Sequence, residues 1–442
     1  NEAASMNHFD VVWYLADQGA NVSRTQPHGH NGLLLSAVRH RSLDALRQLE
    51  ARGGDMNARH WNGNTVLHEA ARSGELEIVR WLLAHGLGVN ATNDSGETAV
   101  AEAASVGHLE VVWALLDAGG GFGSTPESVV MSAVRHGSLD LLRRIQASGV
   151  AVADVDQHGT TALAEAVRQG SMAVVEFLLS NGANVTAVNP SGESALAAAA
   201  YAGHFEIMWR LHAAGAPLDE PNEMGGNALF SAVYFGNDDE VHRLLDAGLS
   251  ADHANHRGDT PLSVAASKGN LPLVKLFLQH GAKLGPRGRR QDTPLMRAAR
   301  FRRLDVVVHL LSVDASSINV ANKKGDTALI EAARAGASQV ILELIERKAT
   351  VDAVNERGNT AFLEAADSGR FQAMRLLQSH GANLHAVNHH GDGALELAKW
   401  SRDHEAILGW LKEQGVAAQR EEHDEHYGHD GHGHEEHEEH GE

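Results

Sequence analysis

The chain has 442 residues, of which 43% are hydrophobic, a formal net charge of −20 at pH 7 and no cysteine. The hydrophobic content is typical of a folded protein, the acidic charge argues against general affinity for nucleic acid, and the absence of cysteine excludes disulfides and thiolate metal sites. No apolar run in the sequence approaches the roughly 18 residues that a membrane-spanning helix needs.

Residues 1–26 open the chain with a pattern that is shorter than the one that follows. Val11, Val12, Trp13 and Leu15 indicate the core-facing side of a helix, and no polar outer face precedes them. We expect a partial repeat whose apolar face is covered by a further segment or by self-association with a second copy. No signal peptide is visible, so the cytoplasm is the default expectation, although the sequence begins inside a repeat.

The segment 61–93 shows the repeated unit most clearly. Two short groups of apolar residues have the 3.6-residue spacing of a helix, and they are followed by Gly74 and Gly86. Glycine at these places is typical of a helix that ends in a left-handed residue. The pattern predicts a turn, a short helix, a tight turn, a second helix and a loop. Two such helices cannot close a core alone, so they must stack on copies of themselves.

Copies of the first-helix segment TVLHEAA, residues 65–71, recur along the chain. They are TAVAEAA at 98–104, TALAEAV at 161–167, TPLSVAA at 260–266, TPLMRAA at 293–299, TALIEAA at 327–333 and TAFLEAA at 360–366. This pattern resembles the ankyrin repeat from Glu2 to about Val416. The resemblance implies an all-α, right-handed ankyrin-repeat solenoid over residues 27–416, with about twelve full repeats after the partial one. It also implies a scaffold or adaptor, because ankyrin arrays mostly bind other proteins.

Glutamate recurs at one position of the first helix. The residues at this acidic position are Glu69, Glu102, Glu165, Glu331 and Glu364. Arg72, Arg168 and Arg334 follow three residues after a glutamate, which is the helical spacing of a surface ion pair. We predict a solvated, self-paired face, since such pairs are common and weak. The alternative is a charged groove that selects a partner.

Aromatic residues occupy the corresponding face between Ser194 and Leu304. They are Tyr201, Tyr234, Phe235 and Phe301. The resemblance places these positions in the concave groove of the array. Aromatic anchors among small residues are favoured in binding hot spots. We predict that a protein partner binds here, and the alternative is ordinary packing within the stack.

Arginine is concentrated next to the last of these aromatics. The residues are Arg287, Arg289, Arg290, Arg297, Arg300, Arg302 and Arg303. Arginine forks suit carboxylates and phosphates, so an acidic partner, a phosphate group or the acidic C-terminal tail is predicted to bind them. A solvated loop is the alternative. Arg302 also stands where most repeats have the glycine that ends the first helix, which predicts a strained backbone.

Residues 417–442 form a tail with ten carboxylates, one arginine and almost no apolar side chains. Such a segment cannot bury enough surface to fold alone, so we expect it to be disordered unless a partner orders it. Its histidines are His423, His426, His429, His432, His434, His437 and His440. Neutral imidazole beside carboxylates suits Zn²⁺, Ni²⁺ or Cu²⁺. The tail therefore predicts a metal site, and the alternative is a solubilising, pH-responsive segment.

The sequence contains no serine-hydrolase, zinc-protease or phosphate-binding loop motif, so we predict neither an enzyme nor a required cofactor. The main prediction is a protein-interaction scaffold that binds its partner along the groove. One alternative is a metal-binding or metal-regulated protein that uses the histidine-rich tail. The other is a structural subunit that assembles end to end through residues 1–26.

Overall fold

The computed structural model describes residues 2–19, 32–60, 62–124, 126–153, 159–285, 290–399, 401 and 404–417. The elements in these ranges are helices, apart from isolated bridges between Thr92 and Thr98 and between Val188 and Ser194. The predicted all-α class is therefore confirmed. The chain divides into two compact units, Asn1–Phe235 and Gly236–Glu442.

The first unit consists of short helices that come in pairs. The pairs are α1 (Glu2–Ser5) and α2 (Phe9–Asp17), α3 (Gly32–Arg39) and α4 (Leu43–Ala51), α5 (Val66–Arg72) and α6 (Leu76–Ala84), α7 (Ala99–Val106) and α8 (Leu109–Asp117), α9 (Pro126–Arg135) and α10 (Leu139–Ala147), α11 (Ala162–Arg168) and α12 (Met172–Ser180), and α13 (Ala195–Tyr201) and α14 (Phe205–Ala213), followed by α15 (Ala228–Phe235). The first helix of each pair packs against the first helix of the next, from α1 through α15. This serial packing is the solenoid arrangement that the repeats predict.

The second unit continues the same element order. Its helices are α16 (Asp238–Asp246), α17 (Pro261–Lys268) and α18 (Leu271–Gln279), α19 (Pro294–Arg300) and α20 (Leu304–Val313), a 3₁₀ helix (Ala315–Asn319), α21 (Ala328–Ala335) and α22 (Ser338–Glu346), α23 (Ala361–Asp367) and α24 (Phe371–Ser379), and α25 (Ala394–Ala398) and α26 (His404–Glu413). First helices α17, α19, α21, α23 and α25 pack in succession, and second helices α18, α20, α22 and α24 do the same. Each repeat thus contributes one helix to each of two layers.

His68 shows how a first helix is joined to the neighbouring repeat. Its Nδ1 accepts a hydrogen bond from the Thr65 backbone N–H at 3.2 Å, so Nε2 carries the ring hydrogen and donates to the Glu97 carbonyl at 3.1 Å. The ring is 1% exposed. Burial lowers the pKa of His68, which keeps the imidazole neutral as these two bonds require.

The predicted helix ends are confirmed at Gly74 and Arg302. Gly74 has φ 75°, and a Cβ there would lie 2.7 Å from the ring of His108 in the next repeat. Glycine is therefore favoured here for two reasons: it adopts the left-handed backbone at low cost, and it leaves room for the ring of the neighbouring repeat. Arg302 adopts φ 61° at the equivalent place, which is strained for a residue with a Cβ.

Val11 and Leu15 of the predicted apolar face of α2 are 42% and 48% exposed, so a further segment or second copy that covers them stays a prediction. A nine-residue helix buries one stripe, and here the stripe contains Phe9 and Val12, with Trp13 half-buried beside them. Val11 and Leu15 lie on the other side of the helix. The predicted boundary between residues 26 and 27 lies outside the described residues.

The last helix pair follows its prediction. Its buried residues are Leu395, Ala398, Ile407 and Leu411, and half-buried Trp410 packs edge-on against Phe371, with ring centroids 5.5 Å apart. Lys412, Glu413 and Gln414 are exposed. This end of the second unit thus presents polar side chains beyond its last apolar layer.

Candidate functional site

The second unit holds two arginines that join consecutive first helices. Arg300 on α19 donates from Nε and Nη2 to the two carboxylate oxygens of Glu331 on α21, at 2.8 and 2.6 Å. Arg334 on α21 donates from Nε to Glu364 on α23 at 2.9 Å. Charge-assisted bonds of this kind are the strong ones, especially where both carboxylate oxygens are used. Each arginine therefore fastens its own helix to the next helix of the stack.

An aspartate from the turn before the arginine completes each of these contacts. Arg300 Nη2 donates to Asp292 at 3.1 Å, and Arg334 Nη2 donates to Asp326 at 2.9 Å. Asn355 then donates from Nδ2 to Asp326 at 2.9 Å. The buried carboxylates thus receive hydrogen bonds from both guanidinium and amide groups, as buried charges require.

The pKa values of these carboxylates follow from this arrangement. Burial alone would raise the pKa of Asp292, but the charge of Arg300 and a hydrogen bond from Asn322 hold it below its usual range. Burial alone would likewise raise the pKa of Glu364, and hydrogen bonds from Arg334 and two asparagines lower it. Both carboxylates are therefore ionised at neutral pH, and their arginine partners are charged.

The prediction of a solvated glutamate face is wrong for four of the five glutamates, which lie buried between successive first helices, whereas Glu69 is half-buried. Exposed fractions are 9% for Glu102, 6% for Glu165, 0% for Glu331 and 2% for Glu364. Contacts at the predicted spacing of three residues do occur, between Arg168 and Glu165 at 3.3 Å and between Arg334 and Glu331 at 3.1 Å. The contacts that cross the stack, however, come from an arginine 30 or 31 residues earlier.

This pairing defines an Arg–Glu ladder. Its members are Arg39 with Glu69, Arg135 with Glu165, Arg300 with Glu331 and Arg334 with Glu364. The arginine occupies the basic position, three residues after the acidic position, and the glutamate occupies the acidic position of the next repeat. The sequence does contain a sign of these pairs, because each arginine precedes its glutamate by about one repeat. A search for ion pairs within a single helix does not find this spacing.

Glu102 in the first unit is the exception among the buried glutamates. Among the described residues it has no arginine within ion-pair distance, and the amides of Asn64 and Asn93 lie 3.5 and 3.4 Å from its Oε1. Burial and the neighbouring Glu97 raise the pKa of Glu102, and the more distant charge of Arg72 only partly offsets them. This carboxylate is buried without the partners that Glu364 has.

No pair of the ladder involves α13 or α15, the last two first helices of the first unit. Their acidic positions hold Ala198 and Ser231, and their basic positions hold Tyr201 and Tyr234. Tyr201 is 45% exposed and Tyr234 is 62% exposed. The position that elsewhere places an arginine over a buried glutamate here places an aromatic ring at the surface.

Phe235 adjoins these tyrosines and is 50% exposed. Its ring lies edge-on to buried Phe205 at 6.2 Å and to Tyr234 at 5.6 Å. A Cβ at Gly203 would lie 3.2 Å from the Phe235 ring, so the ring rests closely on the preceding repeat. Tyr201, Tyr234 and Phe235 are called the aromatic patch below. Phe301, half-buried in the second unit, was predicted with them, and its role in binding stays a prediction.

The described arginines of the predicted cluster are in contact with protein oxygens. The pairs are Arg290 with Asp292, Arg297 with Asp259, Arg300 with Glu331, Arg302 with the Ala335 carbonyl and Arg303 with the Ser267 carbonyl. Arg287 and Arg289 lie outside the described residues. Arg290, Arg302 and Arg303 remain exposed, and partner binding by the cluster stays a prediction.

The tail histidines, His423 to His440, lie outside the described residues, so the predicted metal site stays a prediction. Within the described ranges, no three side chains of histidine, aspartate or glutamate come together in a way that could hold a metal ion. The helices of the same ranges include none with both the length and the apolar character of a membrane span.

Comparison with known families agrees with the stacked helix pairs. A family model described as ankyrin repeats (3 copies) matches residues 33–125, 121–189, 229–322 and 309–388, which together are well over half of the chain. No curated protein matches the sequence. The predicted count of about twelve full repeats stays a prediction. The match and the helix pairs together show that the chain belongs to the ankyrin repeat family.

Proposed function

We propose that the chain is a non-catalytic protein-interaction scaffold and that the aromatic patch of its first unit contacts a protein partner. Ankyrin repeats are generally protein–protein interaction modules. The observation that carries the proposal is the exposure of three neighbouring aromatic side chains on α13 and α15. They stand at and beside the positions where the repeats of the Arg–Glu ladder carry the paired arginine.

The physical properties of the patch support binding. Tyrosine combines a large apolar ring with a hydroxyl that hydrogen-bonds at the rim of an interface. The patch lies on two packed helices, and Phe235 is held by Phe205, so little ordering is needed when a partner binds. Small residues, Ala198 and Ser231, precede the two tyrosines by three residues, one turn earlier on the same helices. The partner segment we propose therefore inserts an apolar side chain between the rings.

The test changes Tyr201 and Tyr234 to Ser and leaves Phe235 in place, because Phe235 also packs against buried Phe205. A partner captured from native extract by the wild-type chain is identified by mass spectrometry, and its Kd is measured by calorimetry. We expect the double variant to bind at least about tenfold more weakly, the loss typical of removing hot-spot side chains.

A matched control changes Tyr14 and Val106, which are 65% and 47% exposed elsewhere in the first unit, to Ser. This control should bind like the wild type, and circular dichroism should show that both variants keep their helices. An unchanged Kd in the patch variant would reject the aromatic patch as the contact surface.

A further inference from the structure

The turns that precede the first helices of the second unit carry basic side chains at their tips. A representative turn runs from Asn322 to Gly325, where Asn322 Oδ1 accepts hydrogen bonds from the backbone N–H groups of Lys324 and Asp326 at 2.9 and 3.0 Å. The two middle residues form the tip. In the described part of the second unit the tip residues are His256 and Arg257, Arg290, Lys323 and Lys324, Glu356 and Arg357, and His389 and His390.

The first unit differs at the same sequence positions. Its described tip residues are Asn62, Asp94 and Ser95, Pro190 and Ser191, and Glu223 and Met224. This set contains no lysine and no arginine. The basic tips therefore belong to the second unit and are not a general property of the repeat. Their positive charge is opposite in sign to the formal net charge of the whole chain, which is −20.

Consecutive tips of the second unit are joined through their backbones. Lys323 N–H donates to the Arg290 carbonyl, Glu356 N–H donates to the Lys324 carbonyl, and His389 N–H donates to the Arg357 carbonyl, each at 2.9 Å. The side chains of Arg290, Lys323, Lys324, Arg357 and His389 thus follow one another along a continuous edge. These five residues are called the basic ridge.

The charges of the basic ridge are available to a ligand. Lys323, Lys324 and Arg357 are exposed, and within the described part of the chain their side chains form no ion pair. Arg290 is exposed as well, although it lies 3.6 Å from Asp292 and 3.9 Å from Glu331, so its charge is partly balanced. Arg300 and Arg334 of the ladder are less exposed and donate shorter hydrogen bonds to buried carboxylates. A ligand of the basic ridge must be an extended anion, since the positive charges are spread over successive repeats.

We propose that the basic ridge binds the acidic tail of this same chain, residues 418–442. The tail has ten carboxylates and one arginine, which makes it the strongest concentration of negative charge in the sequence. It also follows directly on the second unit, whose last described residue is Ala417. No other segment of the chain combines opposite charge with this position.

The chain leaves α26, the last helix before the tail, by a tight turn. Gly415 has φ 78°, and Val416 N–H donates to the Leu411 carbonyl at 3.0 Å. The chain leaves α24 by the same turn, where Gly381 has φ 88° and the next N–H donates to the carbonyl of Leu377 at 3.0 Å. After Gly381 the chain runs on to the His389 tip. The described chain therefore ends in a turn of the kind that, one repeat earlier, precedes a residue of the basic ridge.

The tail is long enough to cover the ridge. Packed helices are separated by about 8–10 Å, so the three intervals from His389 back to Arg290 span about 30 Å. A flexible chain of about 25 residues has an average end-to-end distance of about 25–30 Å. Fully extended, it reaches about 80–90 Å. Binding within one molecule therefore needs no strained connection.

The test uses the absence of cysteine, because two introduced cysteines are then the only labelling sites. Ala321→Cys lies beside the basic ridge at an exposed position, and Gly431→Cys lies in the middle of the tail. Energy transfer between a donor and an acceptor on these cysteines is measured in the full chain. We expect high transfer at low salt and a steady loss as the Debye length falls from about 10 Å at 0.1 M salt to about 3 Å at 1 M.

Charge-reversal variants assign the contact to the ridge. Lys323→Glu with Arg357→Glu should lower the transfer at low salt and remove its dependence on salt. The matched control is Lys275→Glu with Arg375→Glu, which makes the same charge change at exposed positions of α18 and α24. The control should keep the salt-dependent transfer. Equal transfer in the ridge variant and the wild type would overturn the proposal.

Two further outcomes would also overturn it. If transfer appears only when singly labelled molecules are mixed, the tail binds a second copy and the intramolecular contact does not exist. If a DNA duplex binds the full chain through the ridge while the transfer between tail and ridge stays unchanged, the ridge is a nucleic-acid surface. Both outcomes leave the aromatic patch untouched, because the patch lies in the first unit.

Discussion

Glu102 in the first unit and Glu364 in the second occupy the same position of the repeat, and both are buried, yet their pKa values shift in opposite directions. Glu364 accepts hydrogen bonds from Arg334 at 2.9 Å and from two asparagines at 2.7 and 3.0 Å. Glu102 has only two asparagine contacts, at 3.5 and 3.4 Å. The same local sequence thus produces a well-bonded carboxylate in one unit and a poorly bonded one in the other.

The difference comes from the neighbouring repeat. Arg334 precedes Glu364 by 30 residues and reaches it, whereas Arg72, at the same distance before Glu102, does not come within ion-pair range. A buried charge is costly unless it is paired and hydrogen-bonded. In a repeat protein the stability of one repeat depends on its interfaces with adjacent repeats. The Arg–Glu ladder is one such interface term, and it is stronger in the second unit.

The largest effect is expected for Glu364→Gln. The change removes the charge that balances Arg334 and leaves the guanidinium with fewer partners between α21 and α23. Breaking a buried ion pair from one side typically costs about 3 kcal/mol. We expect the free energy of unfolding of these two helices to fall by this amount. The measurement is native-state hydrogen exchange, which resolves the stability of individual helices.

A control for this variant is Glu346→Gln, which neutralises an exposed carboxylate at the end of α22. Surface substitutions of this kind usually stay within about 0.5 kcal/mol. Equal protection of α23 in the two variants would show that the Arg334–Glu364 contact does not stabilise the stack.

A smaller effect is expected from building the missing ladder contact in the first unit. Tyr201 and Ser231 stand at a basic and the next acidic position, 30 residues apart like Arg334 and Glu364. Ser231→Glu alone should destabilise α15, because it buries a charge at a position that is 7% exposed. Adding Tyr201→Arg should recover about 1 kcal/mol, measured as the coupling energy of a double-mutant cycle.

The same double variant removes one ring of the aromatic patch, so it should also weaken partner binding. A coupling energy of zero would mean that α13 and α15 do not approach each other as α21 and α23 do. If the double variant binds its partner fully and also shows a positive coupling energy, then a ladder contact can form at this place without loss of the proposed function.

The helix pairs were predictable because their signals are local. Periodic apolar residues, Gly74 at a helix end and Arg302 in place of a glycine each act within one repeat, and all three predictions hold. The exposed tyrosines were also predictable, because the position in the repeat decides which face a side chain occupies. The burial of Glu331 and Glu364 was not, because it depends on arginines one repeat earlier. The basic ridge was not predictable either, because it is defined by backbone hydrogen bonds between the turns of successive repeats.

The smallest expected effect is a gain in stability from Glu102→Gln. Glutamine keeps the Oε1 acceptor that faces Asn64 and Asn93 but removes the charge that lacks an arginine partner. We expect the free energy of unfolding of α7 to rise by about 0.5 kcal/mol at neutral pH. The corresponding change at Glu364 has the opposite sign, so hydrogen exchange of the two variants gives a direct comparison of the two units.

The pH dependence identifies the charge as the cause. Because burial raises the pKa of Glu102 above its ordinary value of 4.5, the folded state binds the proton more tightly than the unfolded state. Wild-type α7 should therefore gain stability as the pH falls through the raised pKa toward 4.5, and Glu102→Gln should lack this gain. The advantage of the variant should be largest at neutral pH and should vanish below pH 4.5, where the carboxyl is protonated in both the folded and the unfolded state. An advantage that is the same at both pH values would show that side-chain packing, and not the buried charge, distinguishes Glu102 from Glu364.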